Sequence, residues 1–381
     1  MPHDNLPVRH PGTALALVAS LFLGLSLAEN SVRAADRVVD VQVVADFDKP
    51  WAMAFLPDGR ILVTEKRGEL LLVTRDGASS RVANVPAVAY GGQGGLGDVA
   101  LHPDFTNNGL IYLSYVEVQS GRHGAVVARA RLDVENAGAV LHDWDTVWRQ
   151  DPKTSGRGHY GHRILFGPDG YLWISSGDRQ KFDPAQDMNA NLGKILRLKD
   201  DGSIPGDNPF VDQSGVARQI WSLGHRNPLG LAFDQDGKLW SVEMGPQGGD
   251  ELNLIQRAAN YGYPIVSNGD HYDGREIPNH DTRPEFRAPV LSWTPVISPA
   301  SLIIYTGGEF PGWRGSALIA GLSAQGIVRV VLDGDKTQEM ERIAMGARIR
   351  AVTQGPDGAV WVLEDGRGDS SGRLLRLRQP L

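Results

Sequence analysis

Arg163-Ile-Leu-Phe-Gly-Pro-Asp-Gly-Tyr-Leu-Trp-Ile-Ser175 reads as an apolar strand, a Pro-Asp-Gly turn and a second alternating strand. The Asp-Gly pair is expected to take the positive φ angles of a tight hairpin turn, and the flanks alternate as strands do. The phrase returns along the chain at Trp51–Glu65, Val99–Ser114, Leu229–Glu243 and Ala351–Glu364, and in degenerate form at Ser301–Tyr305 with Trp313–Ala320. Six copies correspond to a unit of about 58 residues, the length of four short strands plus a loop. Two β-sandwiches in tandem would leave a linker near the middle, and no Ser/Pro-rich or charged run stands there. The repeat therefore predicts an all-β fold, a six-bladed β-propeller of four-stranded antiparallel blades filling residues 35–381 as one domain.

Composition agrees with many short strands: 46 glycines and 23 prolines in 381 residues favour turns over long helices. A formal net charge of −7 gives no positive field to draw nucleic acid or an anionic membrane. With no cysteine, disulfides, thiolate zinc sites, iron–sulfur clusters and covalent haem attachment are excluded. Arg9 precedes an apolar run, Ala14–Ala28, which is short for a membrane span and suits the core of an export signal. Small-x-small cleavage sites end at Ala28 and Ala34, the second being preferred. Residues 1–34 are thus expected to be removed, leaving an exported, periplasmic or secreted chain without a membrane span.

In a propeller the segments just before each blade's first strand gather at one mouth of the central channel. Those segments here are Gly91-Gly-Gln93, Gly158-His159-Tyr-Gly-His162-Arg163, Gly224-His225-Arg226-Asn227-Pro, Trp293-Thr-Pro295 and Gly346-Ala-Arg348-Ile-Arg350. Several arginines at one mouth call for an anion, and guanidinium suits paired contact with carboxylates. Acidic residues on neighbouring blades are the alternative partners. Val242-Glu-Met-Gly-Pro-Gln-Gly-Gly-Asp-Glu-Leu-Asn253 combines glycines with oxygen donors, a set that favours calcium over a transition metal. Gly92-Gln-Gly94-Gly-Leu-Gly97 satisfies a dinucleotide fingerprint only as a string, because a strand follows it with no βαβ unit. His159 and His162 do not share a face on a loop, which makes zinc a weak expectation, and His102 and His225 read as structural, bonding turn backbone. No nucleophile elbow appears.

In order along the chain, Gln93-Gly-Gly-Leu-Gly, His-Pro-Asp-Phe105, His159-Tyr-Gly-His-Arg163, His225-Arg-Asn-Pro-Leu-Gly-Leu-Ala-Phe233, Gly245-Pro-Gln-Gly-Gly-Asp-Glu-Leu-Asn253, Asn260-Tyr-Gly-Tyr-Pro264 and Arg348-Ile-Arg350 resemble a known set of motifs. They resemble those of the soluble aldose sugar dehydrogenases dependent on pyrroloquinoline quinone (PQQ), the glucose/sorbosone dehydrogenase family, over nearly the whole mature chain. The resemblance implies a six-bladed propeller that oxidises aldoses at the anomeric carbon to lactones and passes electrons to an external acceptor, a quinone, cytochrome or dye. It implies that His159 is the general base and that Arg226 polarises the quinone carbonyl. Gln93, Asn227, Arg348 and Arg350 would hold the tricarboxylic cofactor with Arg226. Carbonyls of Gly245 and Pro246 would bind a catalytic Ca2+, and Glu251 with the backbone of Tyr261 a second one, Asp250 lying near. Gly158, Met244 and Ser323 mark departures from the glucose-oxidising members. A calcium-dependent lactonase-like hydrolase and a non-catalytic sugar-binding propeller are the alternatives, since fold alone does not decide function.

Overall fold

The computed structural model describes residues 39–135, 138–368 and 370–380; the expected signal segment lies outside them. The chain is nearly all-β, with one four-residue helix, Phe105–Asn108, and a few short 3-10 turns among the described residues. Five hydrogen-bonded sheets are present, four of four strands and one of eight. The eight-stranded sheet is two antiparallel meanders that touch through a two-residue parallel contact, Val82 to Ala139 and Ala83 to Val140. The first strands of the successive four-stranded units are Pro50–Phe55, Leu96–Leu101, Gly161–Phe166, Pro228–Phe233, Pro299–Ile304 and Ile349–Gln354. Each lies against the next, and the last lies against the first. The final unit takes its outermost strand, Asp40–Asp46, from the other end of the chain, paired antiparallel with Arg373–Arg378.

Period-2 alternation explains why the ring closes. In the strand Ile61–Glu65, Leu62 packs toward the following unit while Ile61 and Val63 pack toward the last one. Six apolar clusters result, each shared by two consecutive units, and the cluster of Phe47, Met53, Val63, Trp361 and Leu374 joins the last to the first. With both faces buried, the strands read as nearly continuous apolar runs.

The repeated turns correct one detail of the sequence reading. Only the glycine is left-handed, with φ of 86°, 77°, 75° and 79° at Gly59, Gly170, Gly237 and Gly358. The same two backbone bonds recur in all four turns, for example Leu56 N–H to Arg60 O (2.8 Å) and Gly59 N–H to Leu56 O (2.9 Å). This is a three-residue hairpin loop in which an aspartate side chain accepts from the backbone, as Asp58 does from Arg60 N–H at 2.9 Å.

Every first strand is bulged at its entrance, where register slips between Pro50 and Ala52, Gly161 and Ile164, or Pro228 and Gly230. Hydroxyls from the second strands take up amides freed there: Thr64 accepts from Ala52 at 3.0 Å, Ser114 from Asp98 at 2.7 Å and Ser175 from Arg163 at 3.0 Å. Inside the ring, Arg163 donates to Leu229 O at 2.7 Å and Ala300 O at 2.5 Å, pairs with Asp98 at 3.1 Å and stacks on Trp51 at 3.8 Å. Burial pushes the Asp98 carboxyl above its ordinary range in spite of Arg163 and the amides of Ile164 and Val99. Removing one member of such a pair strands the other charge, so Arg163→Met is expected to lower the unfolding free energy by about 3–5 kcal/mol in a urea titration, and adding Asp98→Leu to restore part of it.

Candidate functional site

The bulged entrances place Gln93, His159, Arg226, Asn227 and Arg348 immediately before, or at the mouth of, their first strands. The antiparallel second strands return to the same end, because Pro50 pairs with Glu65, Gly161 with Ser176, Pro228 with Glu243 and Ile349 with Glu364. Residues at those returning ends, Lys66, Asp178, Glu243 and Asp365, therefore face the entrances.

His159 sits at φ 46°, a left-handed conformation uncommon for a residue with a Cβ. Its amide donates to Gln93 Oε1 at 2.8 Å, and its Nδ1 lies 2.7 Å from the fully buried Asp178 Oδ1. Asp178 is in turn fixed by the amides of Gln180 and Phe182, while its own N–H donates to Arg226 O at 2.8 Å. A carboxylate at Nδ1 assigns the proton there and leaves Nε2 as the basic nitrogen. Burial lowers the pKa of the imidazole, with Arg226 and Arg179 pushing the same way and Asp178 opposing, so the ring is neutral at pH 7.

Arg226 donates from Nη1 to Met244 O at 2.9 Å, and its Nη2 is 3.5 Å from Tyr272 Oη. Its Nε and the Asn227 Nδ2 are buried without a partner among the described residues. Buried donors of this kind call for a partner, and in a cavity a bound ligand is one that would complete the bonding. His159, Arg226, Pro246, Phe182, Tyr263 and Tyr272 line a cavity of about 230 Å³.

Gln93, Arg348 and Arg350 line a separate cavity of about 180 Å³, together with Lys66, Arg367 and Met244. Met244, whose carbonyl Arg226 holds, links the two. Part of the positive charge is answered from within the chain: Arg348 Nε reaches Asp365 Oδ2 at 2.9 Å and Arg350 Nη2 reaches Asp365 Oδ1 at 2.5 Å. That carboxylate comes from the same unit, not from a neighbouring blade as the alternative supposed. Burial alone would raise Asp365; the guanidiniums of Arg350 and Arg348 outweigh it and hold the group below its ordinary range. Arg367 is 3.9 Å from the same carboxylate. One anion thus serves three arginines, and among the described residues no carboxylate pairs with Lys66.

Of the residues predicted for calcium, Glu251 belongs to a buried carboxylate cluster, whereas Pro246 lines the cavity of His159. Asn253 Nδ2 donates to Glu243 Oε1 at 3.1 Å and to Glu251 Oε2 at 2.9 Å, and Asn253 Oδ1 is buried without a partner. Burial, and then the neighbouring Glu243, push Glu251 well above the usual carboxylate range. Asp250 accepts from the amides of Gly245 (2.9 Å) and Ser298 (2.6 Å), and burial raises it to about 6. The Tyr261 carbonyl lies 3.0 Å from His280 Nε2. His225 does not bond turn backbone as expected: its Nδ1 meets Glu243 at 2.9 Å, its Nε2 meets Ser222 at 2.8 Å, and it stacks on Tyr261. His162 is apart from His159, stacked on Trp51 and bonded to Ser114. No three His, Asp or Glu side chains converge on a metal position among the described residues, so a cation there would draw on carbonyl oxygens as well.

The family model described as "Glucose / Sorbosone dehydrogenase" matches residues 47–376. The chain belongs to this family. It is 41% identical over 370 residues to the aldose sugar dehydrogenase YliI of Escherichia coli, covering 94% of this chain and 98% of that protein. Quinoprotein glucose dehydrogenase B of Acinetobacter calcoaceticus is 29% identical, with 86% and 85% covered. Among solved structures, the PQQ-bound aldose sugar dehydrogenase of Streptomyces coelicolor superposes with a TM-score of 0.73 at 30% identity, covering 90% of this chain and 98% of that one.

In this member of the family, the residues of the candidate site that the sequence reading did not single out are those of the second-strand ends, Lys66, Asp178 and Asp365, and the loop aromatics Phe182 and Tyr272. The former were within reach: once first strands are assigned, their antiparallel neighbours must end at the same mouth. Because Asp178 raises the His159 pKa against burial, Asp178→Asn is expected to move the imidazole titration to still lower pH, which nitrogen-resolved NMR of the ring would show as a downward shift.

Proposed function

We propose that the protein is an exported, calcium-requiring PQQ dehydrogenase of aldoses, built as a six-bladed β-propeller of four-stranded blades in a single domain that follows a cleaved segment 1–34. The reading has the anomeric carbon oxidised to a lactone and the electrons delivered to an external quinone, cytochrome or dye. The observation that carries it is the His159–Asp178 pair facing Arg226, beside a cavity in which arginines and a lysine outnumber their carboxylate.

The residues fit both groups. Orphaned donors on Arg226 and Asn227, and the cation surplus around Arg348 and Arg350 next to Gln93, suit a tricarboxylic quinone. The buried Glu243–Glu251 pair with its unpartnered Asn253 oxygen suits a hard cation near Glu251 and Tyr261, and Pro246, following Gly245, lines the base's cavity. PQQ supplies, when bound, the acceptor for the hydride that leaves the anomeric carbon, and calcium a Lewis acid beside it. His159 Nε2 takes the proton of the anomeric hydroxyl, while Asp178 fixes the tautomer and stabilises the imidazolium that forms. Arg226 offers preorganised positive charge where negative charge develops on oxygen. Phe182, Tyr263 and Tyr272 give the sugar apolar walls. Against a lactonase, the carboxylates at this mouth are already engaged, Asp178 by His159, Glu243 by His225 and the Arg226 amide, and Asp365 by Arg348 and Arg350.

Purified protein with calcium and PQQ should bleach an artificial electron-accepting dye when given aldoses. His159→Ala should lower kcat by about 10²–10⁴ while PQQ still binds; failure of the wild type to bind PQQ would overturn the reading. Since burial depresses the base, the kcat/KM plateau should extend below the ordinary imidazole range near pH 6.5 and fall only on further acidification. Chelation with EGTA should lower the melting temperature and added calcium restore it, because a cation bound only by the folded chain adds to its stability.

A further inference from the structure

We propose that Lys66 directly anchors a carboxylate of the bound cofactor, a binding residue additional to Gln93, Arg226, Asn227, Arg348 and Arg350. This rests on the PQQ reading of the site. Lys66 follows the second strand Ile61–Glu65 of the first unit and is 5% exposed, lining the cation-rich cavity. Its backbone is clamped from both sides: its N–H donates to Lys49 O at 3.1 Å, and its carbonyl accepts from Leu96 N–H at 3.1 Å. Gly95, at φ 140°, packs so closely on that carbonyl that a Cβ there would come within 2.0 Å of the oxygen. The root of the side chain is therefore fixed before any ligand arrives.

The ammonium itself is under-satisfied. Of its three donors one reaches Gly92 O, at 3.0 Å, in the loop that carries Gln93. Among the described residues no carboxylate pairs with it, and Asp365 is already held by Arg348 and Arg350. An unpaired buried cation beside other cations is costly, and an apolar side chain would pack there at less expense. A merely structural role is thus poorly served by lysine, whereas an anionic ligand supplies what is missing. The charged or titratable groups facing Lys66 are Arg350, Arg367, Asp365, Lys49 and His162. Burial, then the two arginines, bring Lys66 down to about 8, and His162 is pushed to about 3 and so stays neutral.

The test titrates PQQ into the calcium-loaded protein, read by tryptophan fluorescence and by the shift in melting temperature on binding. Lys66→Met should bind PQQ about 10- to 100-fold more weakly than wild type at pH 7, the loss expected for one charge-assisted contact, and Lys66→Arg should stay within about threefold. As pH rises above about 8 the wild-type affinity should fall toward that of Lys66→Met, whereas Lys66→Arg should hold. Without PQQ, Lys66→Met should melt at or above the wild-type temperature, since the unpaired charge is gone. Wild type and Lys66→Met binding PQQ equally would overturn the assignment and leave the dehydrogenase reading intact. A PQQ-free Lys66→Met that melts lower, with an unchanged shift on binding, would show a structural lysine and overturn it too. No binding by wild type would overturn the reading itself.

Discussion

The ion pair of Arg163 and Asp98 is the constraint on which the ring depends. Six units that bury both faces against their neighbours leave the middle to be filled by whatever their first strands project inward. Arg163 fills it by binding backbone carbonyls of two other units, a carboxylate of a third and the face of Trp51 from a fourth. Five of the six units are thereby tied to one guanidinium. Trp51 lines the cation-rich cavity, while Arg163 and Asp98 line a different cavity, of about 370 Å³, among the first strands. Since the pair is internally neutral, it does not cancel the positive surplus around Lys66, Arg348, Arg350 and Arg367. That surplus is left for a ligand.

Carboxylates at the returning ends of second strands hold the entrances of the first. Glu243 is the fullest case: one oxygen takes His225 and Asn253, and the other takes the amides of Arg226 and Asn227. The proposed electrostatic group, Arg226, and the carboxylate cluster that suits a cation therefore share one hub. Glu251 is connected to Arg226 by hydrogen bonds through Asn253 and then Glu243. Asp178 joins the base to the same strand entrance through Arg226 O.

Most of the fold was legible in the sequence because hairpin chemistry and period-2 alternation are local. Copies such as Trp51–Glu65 and Ala351–Glu364 carry their turn, their strands and their burial on the page. Half of the candidate site was legible for the same reason: Gln93, His159, Arg226, Asn227 and Arg348 precede recognisable strands. Lys66, Asp178 and Asp365 were not, because a charged residue after a strand looks like a solvated turn until topology turns it inward. Phe182 and Tyr272 lie on loops with no periodicity, and nothing local marks them. The left-handed His159 and His162 are likewise set by tertiary packing and not by propensity.

Several features that break local rules stand together at one end of the ring. His159 in a left-handed conformation, orphaned donors on Arg226 and Asn227, crowded arginines, a buried lysine and two adjacent carboxylates each lower stability. The six apolar clusters between units offset them, and most of their side chains lie between the sheets, with Trp51, Leu229 and Tyr160 reaching the cation-rich cavity. This separation matters physically, because a site built from unsatisfied groups binds strongly only if the free protein cannot relax to satisfy them. Second-strand hydroxyls clamp the bulged entrances of the first three units, and Glu243 holds the amides of Arg226 and Asn227, which opposes that relaxation. On the proposed reading, binding of an anion and a cation would relieve the desolvation and repulsion already present in the free protein, so the same groups that weaken the empty chain would favour its loaded form.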